Sequence, residues 1–150
     1  MKRIFFVALF SFIATITFAQ NNPISWSFSS KKISDGEYEL HLVASIQKGW
    51  HLYSQNQPKD AIAIPTTFKF STNPLVQING KIKEIGKLEK YKDEVLDVSA
   101  NQYSNEVTFV QKVKVRGKAK TAVTGSLEFQ TCDDKKCLPP KTVGFTIALK

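Results

Sequence analysis

Tyr38-Glu39-Leu40-His41-Leu42-Val43-Ala44-Ser45-Ile46-Gln47 is the stretch whose reading decides the fold class. Tyr38, Leu40, Leu42, Ala44 and Ile46 occupy every second position, with Glu39, His41, Val43, Ser45 and Gln47 between them. Successive side chains of a strand point to opposite faces, so period two predicts a strand with one buried and one mostly wet face. The alternation recurs outward in both directions: in Trp26 and Phe28, in Phe68 and Phe70, and from Val107 and Phe109 through Val113 and Val115. It continues in Val123, Leu127 and Phe129 and closes with Val143, Phe145, Ile147 and Leu149. Turn formers separate these runs, among them Asp35-Gly36, Lys48-Gly49, Asn73-Pro74, Asn79-Gly80, Arg116-Gly117 and Pro139-Pro140. No window carries the 3.6-residue repeat of an amphipathic helix. Two half-apolar sheets bury their faces only against each other, so the expected fold is all-β, an immunoglobulin-like β-sandwich. Residues 81–101 fit least well, with many charges and few apolar anchors, and are expected to be an exposed connection.

The chain has 150 residues, enough for one domain. Its 42% hydrophobic and 23% charged residues are ordinary for a globular chain and exclude disorder. Residues 1–19 read as a secretory signal: Lys2 and Arg3 are followed by an apolar run over residues 4–16, and Thr17-Phe18-Ala19 offers a cleavage site. The run is shorter than the roughly 20 residues that span a bilayer, so cleavage near Ala19 is expected rather than anchoring. The mature domain is then residues 20–150, without a membrane span, periplasmic or secreted. Without Lys2 and Arg3, 19 basic side chains remain against 13 acidic ones, a net of +6. Export makes nucleic acid an unsuitable partner for that charge and makes disulfides permissible.

The stretch most suited to chemistry is Phe129-Gln130-Thr131-Cys132-Asp133-Asp134-Lys135-Lys136-Cys137-Leu138-Pro139-Pro140. Cys132 follows a strand and Cys137 precedes one, which puts both thiols at the tip of a hairpin between the last two strands. Closing so short a loop is worth only about 2 kcal/mol in the chain-entropy model, a weak reason for a structural staple. A small ring on an accessible loop has the features of an exchangeable disulfide. Lys135 and Lys136 precede Cys137, whereas Asp133 and Asp134 follow Cys132, so the local charges favour Cys137 as the attacking thiolate. Other chemistries have less support. His41 and His51 do not form a close ligand pair for zinc, a C-x-x-C-H haem run is absent, and Met1 is the only methionine for a copper site. Gly125-Ser126 lacks the glycine spacing of a nucleophile elbow.

With this loop, the Gly49-Trp50-His51-Leu52-Tyr53 run and the acidic Asp93-Glu94 pair, the chain resembles the N-terminal periplasmic domain of the thiol:disulfide interchange protein DsbD family. The resemblance implies an immunoglobulin-like fold without a cofactor, working through a redox-active disulfide of Cys132 and Cys137. It implies electrons taken from a thioredoxin-like donor or a membrane electron transporter and passed to oxidised periplasmic proteins. Larger members continue into a membrane domain and a thioredoxin-like domain, so this chain is expected to be a stand-alone version. In the family an aromatic side chain of the acidic loop caps the cysteines. The corresponding Asp93-Glu94-Val95-Leu96-Asp97 is aliphatic, leaving Leu96, Tyr91 and Tyr103 as candidates. Asp93, Glu94, Leu96, Tyr53 and His51 are thus the expected supporting or capping residues, although Tyr53 and Trp50 also suit plain core packing.

Two functions from different classes fit. One is a protein-disulfide reductase component that cycles Cys132 and Cys137 between dithiol and disulfide. The other is a non-enzymatic immunoglobulin-like binding module with a structural disulfide.

Overall fold

The structure, a computed structural model, describes residues 22–117 and 120–150. The export segment read at residues 1–19 lies outside the described residues. Nine strands follow one another: β1 (Ile24–Ser34), β2 (Glu37–Ile46), β3 (Trp50–Tyr53), β4 (Thr67–Phe70), β5 (Val76–Asp93), β6 (Val98–Val115), β7 (Thr121–Phe129), β8 (Thr131–Asp133) and β9 (Lys141–Leu149). Among the described residues there is no helix. Every alternating run named above lies in one of these strands. In β2, Leu40, Leu42 and Ala44 are wholly buried while Glu39 and His41 face outward.

The first sheet is organised around β6. Its C-terminal half pairs with β2, from Glu37↔Lys114 to Ser45↔Glu106, and its N-terminal part pairs with β3 through Leu52↔Tyr103 and Tyr53↔Gln102. β1 extends this sheet beyond β2, β8 extends it beyond β3, and β5 covers the other edge of β6 along nearly its whole length. The second sheet is β4-β7-β9. Aromatic side chains from both sheets meet between them: Phe68 of β4 lies 4.9 Å from Phe109 of β6, and Trp26 of β1 lies 5.5 Å from Phe129 of β7, centroid to centroid. Phe28 of β1 and Phe145 of β9 are likewise 5.5 Å apart. Such pairs add about 0.5–1.5 kcal/mol each beyond area burial. The all-β immunoglobulin-like sandwich expected from the periodicity is therefore what the chain forms.

Residues 81–101 are a correction. They are a long antiparallel hairpin, the end of β5 and the start of β6, joined by a turn at residues 94–97. The reading missed it because β5 lies at an edge and its pairing slips twice, between Asn79 and Lys83 and between Gly86 and Leu88. Each slip breaks the period-two pattern. Its many lysines also suit an exposed edge, where charge discourages pairing with another chain. Gln111, buried on β6, donates its amide to the carbonyls of Asn79 (2.9 Å) and Lys112 (2.8 Å), which satisfies backbone at the first slip.

Two outcomes follow from this packing. A Cβ at Gly125 would collide with the Lys69 carbonyl oxygen and come within 2.6 Å of the Phe145 ring. Gly125→Ala should therefore destabilise the domain by about 2–3 kcal/mol, as overpacking does; an unchanged denaturant midpoint would contradict this. The cysteines contribute nothing to the aromatic core, so reduction should leave the β-sheet circular dichroism intact at room temperature. A cooperative loss of that signal on adding reductant would show the bridge to be a staple.

Candidate functional site

β7 and β9 pair from Thr121↔Leu149 to Phe129↔Lys141, and the chain between them leaves their sheet. β8 crosses to the other sheet and lies against β3, with Trp50↔Asp133, His51↔Cys132 and Leu52↔Thr131. The Thr131 hydroxyl fastens this crossing by donating to the His51 carbonyl at 2.7 Å. The expectation of a hairpin tip between the last two strands is thus met in chain order, but the tip is carried to the edge that β3 leaves open. Residues 131–138 fold back on themselves: the Asp133 N–H donates to the Lys136 carbonyl and the Leu138 N–H to the Thr131 carbonyl, both at 2.9 Å. Cys132 and Cys137 stand directly opposite between these bonds, with Cα atoms 4.0 Å apart, and form a disulfide.

The turn of this hairpin is built by Asp133. Its carboxylate accepts the N–H groups of Lys135 (2.8 Å) and Lys136 (2.7 Å), which hold its pKa below the usual carboxylate value. Because the native value is depressed, this support is complete above the ordinary value of 3.8 and is lost as pH falls through the native one. The two sulfurs differ sharply in surroundings. Cys132 is 4% exposed and packs with Tyr53, Ala100 and Ala63, whereas Cys137 is open to solvent. Lys136 places its ammonium 6.0 Å from the centre of the Trp50 ring, and Trp50 itself packs against the main core.

A cleft of about 520 Å³ lies over the disulfide, lined by both cysteines, the four residues between them, and His51, Tyr53, Tyr91 and Gln102. These come together because they share the outer face of the first sheet: Tyr53 is opposite Gln102, Gln102 is opposite Glu89, and Tyr91 is opposite Ala100. Burial, and secondarily the proximity of Tyr91, push the Tyr53 phenol above its ordinary pKa. His51 Nδ1 lies 2.9 Å from Ser104 Oγ, whose hydroxyl donates to Glu89 Oε2 at 2.8 Å. His51 Nε2 lies 3.6 Å from Asp134 Oδ1. Sequence reading missed Glu89, Gln102 and Ser104. The signal was present for the last two, since they alternate with the buried Tyr103 and so face away from the core.

The three capping candidates separate. Tyr91 lines the cleft. Tyr103 is buried in the main core and donates its hydroxyl to Glu84 at 2.7 Å; burial, with that hydrogen bond added, raises its pKa. Leu96 is 65% exposed and does not line the cleft. Asp93 builds the β5–β6 turn, accepting the N–H groups of Val95 (2.9 Å) and Leu96 (3.0 Å), and its carboxyl is held below the usual value by those bonds. Glu94 reaches Lys92 at 4.0 Å on the surface. The structure therefore keeps His51 and Tyr53 in the cleft with the cysteines, leaves Glu94 and Leu96 outside its lining, and joins Asp93 to it only through Tyr91, whose hydroxyl donates to the Asp93 carboxylate at 3.4 Å. The physical reason is the strand that replaced the expected loop: β5 runs past the cleft and turns only beyond it. Among the described residues no group of three or more His, Cys, Asp or Glu side chains is placed to hold a metal ion.

The family model described as "Thiol:disulfide interchange protein DsbD, N-terminal" matches residues 18–148. No curated protein matches the chain at a significant level. Among solved structures, the reduced N-terminal domain of Neisseria meningitidis DsbD is similar with a TM-score of 0.55 and 17% identity, covering 84% of this chain and 85% of that one. The N-terminal periplasmic domain of Proteus mirabilis ScsB gives a TM-score of 0.52 at 14% identity, over 84% of this chain and 44% of that one. The N. meningitidis complex of the DsbD and PilB N-terminal domains gives 0.51 at 15% identity, over 89% and 88%. At these identities the structures speak for a shared fold, and the match over nearly the whole described chain speaks for descent. The chain belongs to the family of DsbD N-terminal domains, immunoglobulin-like domains that work through a redox-active disulfide.

Proposed function

We propose that the chain is a periplasmic thiol-disulfide exchange module that accepts electrons from a thioredoxin-like or membrane partner and reduces oxidised envelope proteins through Cys137 and Cys132. The observation that carries this reading is the pairing of an exposed sulfur with a buried one on a hairpin that the main core does not need. An incoming sulfur reaches Cys137 without unfolding the sheet. In the outgoing direction the Cys137 thiolate attacks a partner disulfide and forms a mixed disulfide while one partner sulfur leaves as thiolate. Cys132 then loses its proton and attacks Cys137, which re-forms the intramolecular disulfide and releases the second partner sulfur. Two electrons pass to the partner, and the cysteine protons balance the two thiols formed there.

Three further features support the reading. Lys135 and Lys136 flank Cys137 and favour its thiolate, while the carboxylate of Asp133 is engaged by backbone N–H groups. Tyr91, which lines the cleft over the disulfide from the side of β5, is placed to take the part of the aromatic cap that the acidic loop lacks. The secretory signal read at residues 1–19 would deliver the domain to an oxidising compartment. The complex of N. meningitidis DsbD and PilB N-terminal domains offers a precedent for docking on another protein's domain.

Reduced protein should pass electrons to an oxidised periplasmic substrate, and the Cys132→Ser, Cys137→Ser double variant should not. Cys132→Ser should accumulate a mixed disulfide through Cys137, because the resolving thiol is gone, whereas Cys137→Ser should trap little. Equal exchange rates for wild type and double variant, or a reduction potential below about −300 mV, would leave the binding module with a structural disulfide as the function. A lower thiol pKa on Cys132 than on Cys137, by alkylation of the single variants, would reverse the order of attack.

A further inference from the structure

The exchange mechanism leaves one proton without an acceptor. Cys132 must ionise before it can attack Cys137, yet it is 4% exposed and packed among Tyr53, Ala100 and Ala63. A thiol shielded from water ionises reluctantly, and the neighbouring Asp133 and Asp134 oppose a second negative charge. The side chain directly across the β3–β8 ladder is His51, and both residues line the same cleft. Directly opposed side chains in an antiparallel pair share one face, with Cβ atoms roughly 5 Å apart.

The imidazole is oriented for this task. Glu89 only accepts hydrogen bonds, so the Ser104 hydroxyl spends its single proton on Glu89 Oε2 at 2.8 Å. The Ser104 oxygen must then accept from His51 Nδ1 at 2.9 Å, which fixes the proton on Nδ1 and leaves the lone pair on Nε2. That nitrogen faces the cysteine hairpin, with Asp134 Oδ1 at 3.6 Å to stabilise the imidazolium once it forms. The charged and titratable groups around the ring are Asp133, Asp134, Lys135 and Lys136 on the hairpin, Tyr53 on β3, and Glu89 and Tyr91 on β5; β6 presents neutral Gln102 and Ser104.

We propose that His51, oriented by Ser104 and Glu89, is the base that takes the proton from the buried resolving thiol of Cys132. The inference rests on the exchange function proposed above. In the resolving step the Cys132 proton moves to His51 Nε2, the Cys132–Cys137 bond forms, and the bond between Cys137 and the partner sulfur breaks. The partner leaves as thiolate and takes the proton from His51 directly or through water, so the imidazole returns neutral. In the opposite direction the same nitrogen supplies the proton that Cys132 needs when it leaves.

The test uses the reduced chain and a symmetric nitroaromatic disulfide that releases a coloured thiolate. Attack by Cys137 releases the first equivalent in a phase that depends on reagent concentration, and resolution by Cys132 releases the second in a phase that does not. At neutral pH, His51→Gln should slow the second phase relative to the first by about 100-fold, the usual worth of a general base. The difference should vanish in alkali, where Cys132 ionises unaided. Ser104→Ala, which removes the partner of Nδ1, should slow the same phase by about tenfold and shift its pH profile; it also decides the matter should His51→Gln not fold. A second phase within twofold of wild type in the folded variants, or one slowed equally at every pH, overturns the role of His51. Absence of any second phase in the wild type brings down the exchange function itself, and the His51 proposal with it.

Discussion

The ladder along β6 is the constraint on which the rest of the structure depends. This strand has neighbours on both sides, β5 along one and β2 followed by β3 along the other. Its period of two sends Tyr103, Val107, Phe109 and Val113 to the core and Gln102 and Ser104 to the outer face. A slip of one residue would exchange the two sets, burying polar groups without partners and exposing the aromatic core. Loss of Phe109 alone would cost about 3–5 kcal/mol. The buried Gln111 amide, spent on carbonyls at the first bulge of β5, and the Leu42↔Phe109 pairing both belong to one register only.

Core and site occupy opposite faces of one sheet, and this separates stability from chemistry. The aromatic cluster between the sheets holds the fold, while Cys132, Tyr53 and Ala100 form a small second cluster outside it. The chain after β3 is tied down by Glu84, whose carboxylate accepts the Ser54 hydroxyl, the Gln55 N–H and the Tyr103 hydroxyl, each at 2.7 Å. Tyr103 thereby ties the core to the chain after β3: its ring belongs to the core, and its hydroxyl shares the Glu84 carboxylate with Ser54 and Gln55. Opening a disulfide set in such a satellite cluster removes none of the contacts of the aromatic core.

The two sulfurs are presented asymmetrically, one buried and one exposed. Cys137 is presented on the outer limb of a tight hairpin beside two lysines, and Cys132 lies beneath it against β3. The hairpin is rigid where geometry matters, through the Asp133 carboxylate on the turn N–H groups and the Thr131 hydroxyl on β3. It is open at Cys137, the sulfur to which the proposed exchange brings a partner. Tyr91, half-exposed at the wall of the cleft, stands between these two requirements.

The sequence by itself determined the alternating runs of β1, β2, β4, β7, β9 and the second half of β6, and the proximity of Cys132 to Cys137, because each depends on residues close together in the chain. The resemblance of the cysteine loop and the Gly49-Trp50-His51-Leu52-Tyr53 run pointed to the family on the same local grounds. Residues 81–101 escaped because bulges hide a strand's period and an edge strand needs little apolar surface. Only the tertiary structure decided that β8 crosses to β3, that Tyr91 rather than Leu96 lines the cleft, and that His51 is joined to Ser104 and Glu89. Those pairings bring together residues separated by tens of positions, and long-range register is set by which faces must be buried together, a property of the packed sandwich rather than of any single segment.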